Sequence, residues 1–373
     1  MYIKGIGHTR FSKTKKSSHL LAYDAAMQAL DGSGMTIDEI DMIIVSNTQE
    51  YTGHEHQRHP AAIISSIFKT KIPVICIPAV CAGGGVAFYT ANQQDVKNVL
   101  VIGYESLSHA SIAESTQEIM NASENMIEQQ EGLNFPAANA LIAQQMMQNY
   151  GVTEEDLAKV SLKNHVFASK NPLAGFYGKT TTIEKIMASP MVCSPLRLFH
   201  CSMTVDGAAA VVLSQEKTDI EVVGSGMSVE GITFFERPSL TSWPAVRTSS
   251  EQAYKMAGIT PDNLDVAELH DAFSSVELLL YEDLGFCKEG KAKELIRTGY
   301  TDFGGKLPCN TSGGLTAKGH PISVTGLSQI YQLVKQLRGE CKDFQVDDAR
   351  VGLACNVGGA GATATTHILR KAD

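Results

Sequence analysis

Four short stretches of this chain combine residue types and spacings that suit nucleophilic chemistry. The first is Pro78-Ala-Val-Cys81-Ala-Gly-Gly-Gly-Val86, where an apolar strand gives way to a helix and a cysteine stands at the junction. Exposed N–H groups and the helix dipole favour a thiolate there, which predicts a pKa lowered toward neutrality. The alternative reading is a buried packing cysteine, as Cys76 is expected to be. The glycines at 83 to 85 cost a helix roughly 1 kcal/mol each relative to alanine, so they imply close approach by another element or a ligand. The second stretch is the glycine-dense loop Asn310-Thr-Ser-Gly-Gly-Leu-Thr-Ala-Lys-Gly-His320-Pro, whose imidazole is the usual kind of partner for activating a thiol. A lone loop histidine is as readily a solvent-facing one. The third is Ala354-Cys355-Asn-Val-Gly358-Gly359-Ala-Gly361, a strand end whose free N–H groups suit an oxyanion. The fourth is Glu268-Leu-His270-Asp-Ala-Phe273, where a histidine and an aspartate meet a strand-to-helix junction and Asp271 reads as a helix cap without a catalytic part.

Elements of a recurring kind must position these residues. Strands are expected at 2–7, 42–46, 74–77 and 99–103, with helices at 17–30, 61–68 and 81–94 between them. Alternation of this sort predicts parallel strands joined by crossover helices. From about 106 to 196 the chain turns richer in Ser, Asn, Gln and Met, with helices at 135–150 and 154–168, and reads as an excursion covering something. A strand at 207–213 resumes the pattern. A second series of strands and helices follows, with helices at 245–257, 274–284 and 324–337 and strands near 220–224, 266–269, 351 and 362–369. Asp206-Gly-Ala-Ala-Ala-Val-Val-Leu213 and Ala360-Gly-Ala-Thr-Ala-Thr-Thr-His-Ile-Leu369 echo one another, which favours a duplicated architecture.

Composition narrows the function classes. The 373 residues carry a net charge of −9 with both signs interspersed, so nucleic-acid binding is not expected, and Lys13 to Lys16 reads as a solvated face. The longest apolar run, near 73–80, is far short of a membrane span, and the N-terminal segment has no signal-peptide core. The eight cysteines form no Cys-x-x-Cys pair, which argues against a zinc ribbon or disulfide framework and for a cytoplasmic protein. His54, His56 and His59 fall within a few residues of one another, but their spacing fits no common ligand pattern and no metal site is expected.

The four stretches, in this order and at these separations, resemble the thiolase superfamily, and within it the archaeal and sterol-carrier-protein-like thiolases. The resemblance covers essentially the whole chain, including Gly132-Leu-Asn-Phe-Pro-Ala-Ala-Asn-Ala-Leu141 and Lys163-Asn-His-Val-Phe-Ala-Ser-Lys-Asn-Pro172 of the covering segment. It implies an α/β thiolase fold: two duplicated βαβαβαββ halves (1–216 and 217–373) in a five-layer αβαβα sandwich, with a loop domain at about 106–196. It also implies an acetyl-CoA C-acetyltransferase that condenses two acetyl-CoA to acetoacetyl-CoA, supplying isoprenoid synthesis in a prokaryote. By resemblance Cys81 is the acylated nucleophile, His320 its base, Cys355 the second acid/base and His270 a holder of the enolate oxygen. Backbone N–H groups of Cys81 and of Gly358 or Gly359 hold the other oxyanion.

No tightly bound cofactor is implied, only coenzyme A thioesters as substrates. Expected partners are a second copy, as a homodimer or dimer of dimers, and for the archaeal branch a small zinc-ribbon/OB-fold protein and hydroxymethylglutaryl-CoA synthase. Sterol-carrier-protein thiolases often carry a cysteine within His-Asp-x-Phe, where this chain has Ala272. Cys355 is therefore expected to supply the second thiol, and its presence counts against a ketoacyl synthase. Degradative cleavage of longer 3-oxoacyl-CoAs, retro-aldol chemistry, acyl transfer to another acceptor and a non-catalytic scaffold are the competing readings. Chain-length preference is expected to depend on side chains around Phe135 and Phe176.

Overall fold

The computed structural model describes residues 1–48, 59–109 and 111–372. The first series of elements runs β1 (Tyr2–His8), α1 (Ser18–Ser33), β2 (Met42–Ser46), α2 (Pro60–Phe68), β3 (Val74–Cys76), α3 (Gly83–Asn92) and β4 (Asn98–Glu105). The covering segment then contributes α4 (Ile112–Met120), α5 (Phe135–Tyr150), α6 (Glu154–Lys170), α7 (Ile183–Met187), β5 (Met191–Cys193) and β6 (Leu196–Arg197). After it, β7 (Gly207–Ser214) closes the first half. The second half is β8 (Ile220–Val229), α8 (Pro244–Ala257), β9 (Val266–Glu268), α9 (Ser274–Asp283), α10 (Ala292–Arg297), α11 (Thr325–Arg338), β10 (Val351–Gly358) and β11 (Thr363–Lys371).

Among the described residues, nine strands join in the order β3-β2-β4-β7-β1-β8-β11-β10-β9. The order is a repeat folded back on itself. In the first half β2 runs parallel to β3 and β4, and β7 runs antiparallel to β4 and β1. In the second, β9 runs parallel to β10, and β11 runs antiparallel to β10 and β8. The counterpart of β3 is reduced to one parallel bridge between Cys309 and Ala267. The two sheets meet through a single pair, Tyr2 with Glu221.

Helices α3 and α11 pack on each other and on strands of both sheets, so they form the middle layer, while α1 and α8 cover the outer faces. This is the five-layer arrangement expected from the sequence. Burial follows from it: β4 and β7 are buried along their whole length, as strands covered on both faces must be. Helix α11 buries nearly its full circumference rather than one stripe. On the outside, α1 starts at Ser17, whose hydroxyl accepts from Leu20 N–H, and stops at Gly34 with φ 68°. Its buried alanines 22, 25, 26 and 29 lie so close to β1 that a Cβ at Gly5 would meet Ala29 O at 2.0 Å. No helix among the described residues is long and apolar enough to cross a membrane.

Candidate active site

The nucleophile candidate sits on a strained turn. Strand β3 ends at Cys76, and Val80 adopts φ 50°, a conformation costly for a β-branched residue. Cys81 follows in a single tight turn, two residues before α3 begins at Gly83. The glycine run is explained by contact. A Cβ at Gly84 would lie 3.0 Å from Leu327 N and Ser323 O of the α11 approach, and one at Gly85 would meet Thr365 Oγ1 at 2.1 Å. Backbone therefore meets backbone where the two middle helices start.

The His320 loop arrives from the other half. It makes one wide helical turn over Gly314–Lys318, and Gly319 takes φ 118° to turn His320 inward. His320 N–H donates to Met203 O at 2.9 Å, tying the loop to the end of the covering segment. The Asp271 carboxylate accepts from Leu315 N–H at 2.6 Å, Thr316 Oγ1 at 2.9 Å and Asn164 Nδ2 at 2.8 Å. Asp271 is thus not the helix cap the sequence suggested: Phe273 occupies that position, without a side-chain cap, and Asp271 instead fastens the His320 loop to the His270 strand end.

Cys81, His270 and His320 converge. The Cys81 sulfur and one ring nitrogen of each imidazole all lie within 4.8 Å of one another. The two imidazoles stand edge to face, ring centres 5.1 Å apart and planes at 85°. A thiol and two imidazoles is also a donor set suited to a soft divalent metal, and among the described residues it is the one cluster of three such groups. The 53–58 part of the histidine-rich stretch lies outside the described residues, and His59 immediately precedes α2.

Electrostatics correct one expectation. Burial pushes the Cys81 thiol up to about 12, with the Glu105 carboxylate adding to the effect, and N–H groups of Gly359 and of Cys81 itself only partly oppose it. The helix start therefore does not make a resting thiolate. Burial also holds His320 down to about 4 and His270 well below its ordinary value. The resting site is a neutral thiol between two neutral imidazoles, and attack must be coupled to proton transfer.

The imidazoles differ in what they present. His320 Nδ1 lies 2.7 Å from Thr325 Oγ1, which donates its own proton to Pro321 O at 3.3 Å. Nδ1 therefore carries the hydrogen, and Nε2 offers a lone pair: a base. His270 Nδ1 lies 3.1 Å from Asn356 Nδ2, which can only donate. Its hydrogen is thus on Nε2, as a donor requires.

Cys355 does not reach this site. It is fully buried and packs with the core around Leu353, Val357, Val276 and Leu279. Its thiol is held by Thr366 and pushed up to about 12 by burial. Successive strand residues face opposite ways, so with Asn356 turned to Cys81 and His270, Cys355 must turn away. Alternation shows that Cys355 and Asn356 face opposite ways, but the sequence does not mark which face meets the site, so Asn356 leaves no local signal. Of the two oxyanion glycines, Gly359 (φ 61°) lines the cavity with Cys81, whereas Gly358 packs against Ala79 and Ala82.

The site opens into a cavity of about 490 Å³. The covering segment supplies much of its wall, including Ile119, Phe135 and Leu198, with Met203, Trp243 and Phe273 opposite. Phe135 lines the cavity, while Phe176 packs instead among Ala168, Ala174 and Ala317. None of the lining residues is Asp, Glu, Lys or Arg.

Comparison with known proteins gives the family. The thiolase N-terminal domain matches residues 3–217, and the thiolase C-terminal domain-like family matches residues 226–371. The chain belongs to the thiolase family. Among thiolase relatives, the acetyl-CoA acetyltransferase of Methanothermobacter thermautotrophicus is 35% identical over 98% of both chains. Human sterol carrier protein 2 is 32% identical over 98% of this chain and 71% of its own. A solved structure described as the Ltp2-ChsH2(DUF35) aldolase superposes with a TM-score of 0.84 at 25% identity, covering 99% of this thiolase chain and 97% of that one. The chain is accordingly an acyltransferase of the thiolase family, and the finer assignment follows below.

Proposed function

We propose that this thiolase is an acetyl-CoA C-acetyltransferase that works through acyl-Cys81 and uses His320 as its single base. The observation that carries the reading is the meeting of Cys81, the His320 imidazole and the Gly359 N–H in one cavity with uncharged walls. His320 takes the Cys81 proton as the sulfur attacks the thioester carbonyl, and the N–H groups of Cys81 and Gly359 hold the oxyanion. Coenzyme A leaves as its thiolate and takes that proton back from His320. The neutral imidazole then removes an α-proton from the second acetyl-CoA, and His270 Nε2–H holds the enolate oxygen. The enolate carbon attacks the acyl carbonyl; expelled Cys81 recovers the proton from His320, and acetoacetyl-CoA is released. No second thiol is required, in keeping with Cys355 facing away and Ala272 standing in His-Asp-Ala-Phe.

The uncharged lining suits the acyl and thioester end, so the phosphates of coenzyme A would lie outside the cavity. The cavity is roomier than two acetyl groups need, which supports cleavage of longer 3-oxoacyl-CoAs as a second reading. A second copy is proposed along β3, a sheet edge with Ile75 40% exposed, to give a homodimer or dimer of dimers. Association with a zinc-ribbon/OB-fold protein is supported by the likeness to the Ltp2-ChsH2(DUF35) aldolase, in which Ltp2 is paired with a DUF35 protein. Assembly with hydroxymethylglutaryl-CoA synthase and a cytoplasmic setting complete the reading.

The test is mass spectrometry of the protein after incubation with acetyl-CoA, followed by assays of acetoacetyl-CoA against longer 3-oxoacyl-CoAs. One acetyl group on Cys81 and preferred cleavage of acetoacetyl-CoA are expected. An unmodified Cys81 would overturn the mechanism, and preference for longer chains would favour the second reading.

A further inference from the structure

The mechanism above assigns Asn356 no part, yet this buried side chain is held at both ends within the site. It is 1% exposed, and each end of its carboxamide has work. Gly85 N–H donates to Oδ1 at 3.1 Å. Nδ2 donates to Cys81 O at 3.0 Å and lies 3.1 Å from His270 Nδ1. Only the oxygen can accept from Gly85, so the amide has one permitted orientation. The carboxamide has room there only because both neighbours are glycine: a Cβ at Gly326 would come within 2.5 Å of Oδ1, and one at Gly85 within 2.9 Å. Glycines from the two middle helices thus clamp the amide between the halves.

We propose that Asn356 is a positioning residue that locks His270 as its Nε2–H tautomer, so that His270 can only donate and His320 alone serves as base. The inference rests on the functional reading given above. With Nδ2–H aimed at Nδ1, a proton on Nδ1 would set hydrogen against hydrogen, and neither the other tautomer nor the imidazolium fits. The same amide holds the Cys81 carbonyl, which couples the pose of the nucleophile to that of the oxygen-holding imidazole. Cys355, its neighbour on the strand, has no comparable contact with either.

The test uses the full-length protein with ¹⁵N-labelled histidine, the His270 signal being identified by its loss in His270→Gln. In the unsubstituted protein His270 is expected as the Nε2–H tautomer. Asn356→Asp keeps the size of the side chain but turns the donor into an acceptor, so the hydrogen is expected to move to Nδ1. Condensation kcat should then fall about 100-fold, the usual effect of losing one oxyanion donor, with KM changed far less and Cys81 acetylation retained. Asn356→Ala, which fits without strain, should lower kcat to a similar degree while leaving the tautomer mixed. An Nδ1–H tautomer in the unsubstituted protein, an unchanged tautomer in Asn356→Asp, or full kcat in Asn356→Ala would each overturn the proposal. Failure of acetyl-CoA to modify Cys81 in the unsubstituted protein would instead overturn the functional reading, and the tautomer signals would still decide the role of Asn356.

Discussion

The two halves of the molecule put different chemistry at the same point of one topology. In the first, the chain leaves β3 and passes through Val80 and Cys81 into α3. In the second, it leaves the Cys309 bridge and passes through Gly319 and His320 toward α11. Each reactive residue follows a residue with positive φ, 50° at Val80 and 118° at Gly319, and each stands just before a middle-layer helix. Because α3 and α11 pack against each other, folding the repeat back on itself brings nucleophile and base face to face.

The difference lies in how each half achieves its turn. The second uses glycine and a long, pinned loop held by Asp271, whereas the first forces a β-branched residue into the left-handed region. Burial then acts in opposite senses on the two groups, raising the thiol and lowering the imidazole, and leaves both neutral. A helix start alone does not produce a thiolate when the sulfur is also desolvated.

Substitutions can break this pairing, beginning with the largest effect. His320→Ala should lower kcat/KM by about 10³-fold, and Cys81→Ala should abolish the acyl-enzyme. Retention of activity within tenfold by His320→Ala would show that the second half does not supply the base. The pH profile sharpens the same point. The imidazole must be neutral to act, and burial lowers its pKa to about 4, so protonation sets in only as pH falls toward that value. Initial rates should therefore stay level as pH falls through 6.5, the ordinary histidine value, and drop only below about 5. A fall centred at 6.5 would contradict it.

Smaller effects separate Cys355 from Cys81. Cys355→Ala removes a packed sulfur and should cost about 1–2 kcal/mol in thermal or urea unfolding, with condensation essentially unchanged. A loss of kcat of tenfold or more, with Cys81 still acetylated, would restore Cys355 to the chemistry. Smallest is Val80→Gly, which gives the first half the solution used by the second. Relief of the left-handed strain should stabilise the fold by about 1 kcal/mol, measured by calorimetry, while the acylation rate falls because Cys81 is less firmly posed. A destabilised variant would mean that Val80 packing outweighs its strain.

Much of the fold was legible because apolar periodicity and cap residues are local. Strand β2 and helix α5 were expected at the bounds observed, and the echo of 206–213 in 360–369 foreshadowed the repeat. Cys81 and His320 stood out because glycine-dense turns beside polar residues are costly without a purpose, and His270 because it stands with an aspartate at a strand-to-helix junction. Three things could not be read in that way: the direction of Cys355, the tie made by Asp271 and the clamp on Asn356. Side-chain direction in a strand depends on register, and one residue reverses it.

By itself, then, the sequence determined the order of elements, the duplicated α/β plan and three of the residues that meet at the site, since each leaves a local mark in residue type and spacing. Only the tertiary structure decided which strand face turns inward, which glycine offers its N–H, and that the thiol rests protonated. Those outcomes depend on burial and on partners far away in the chain, 44 residues for Asp271 with Leu315 and 271 for Gly85 with Asn356.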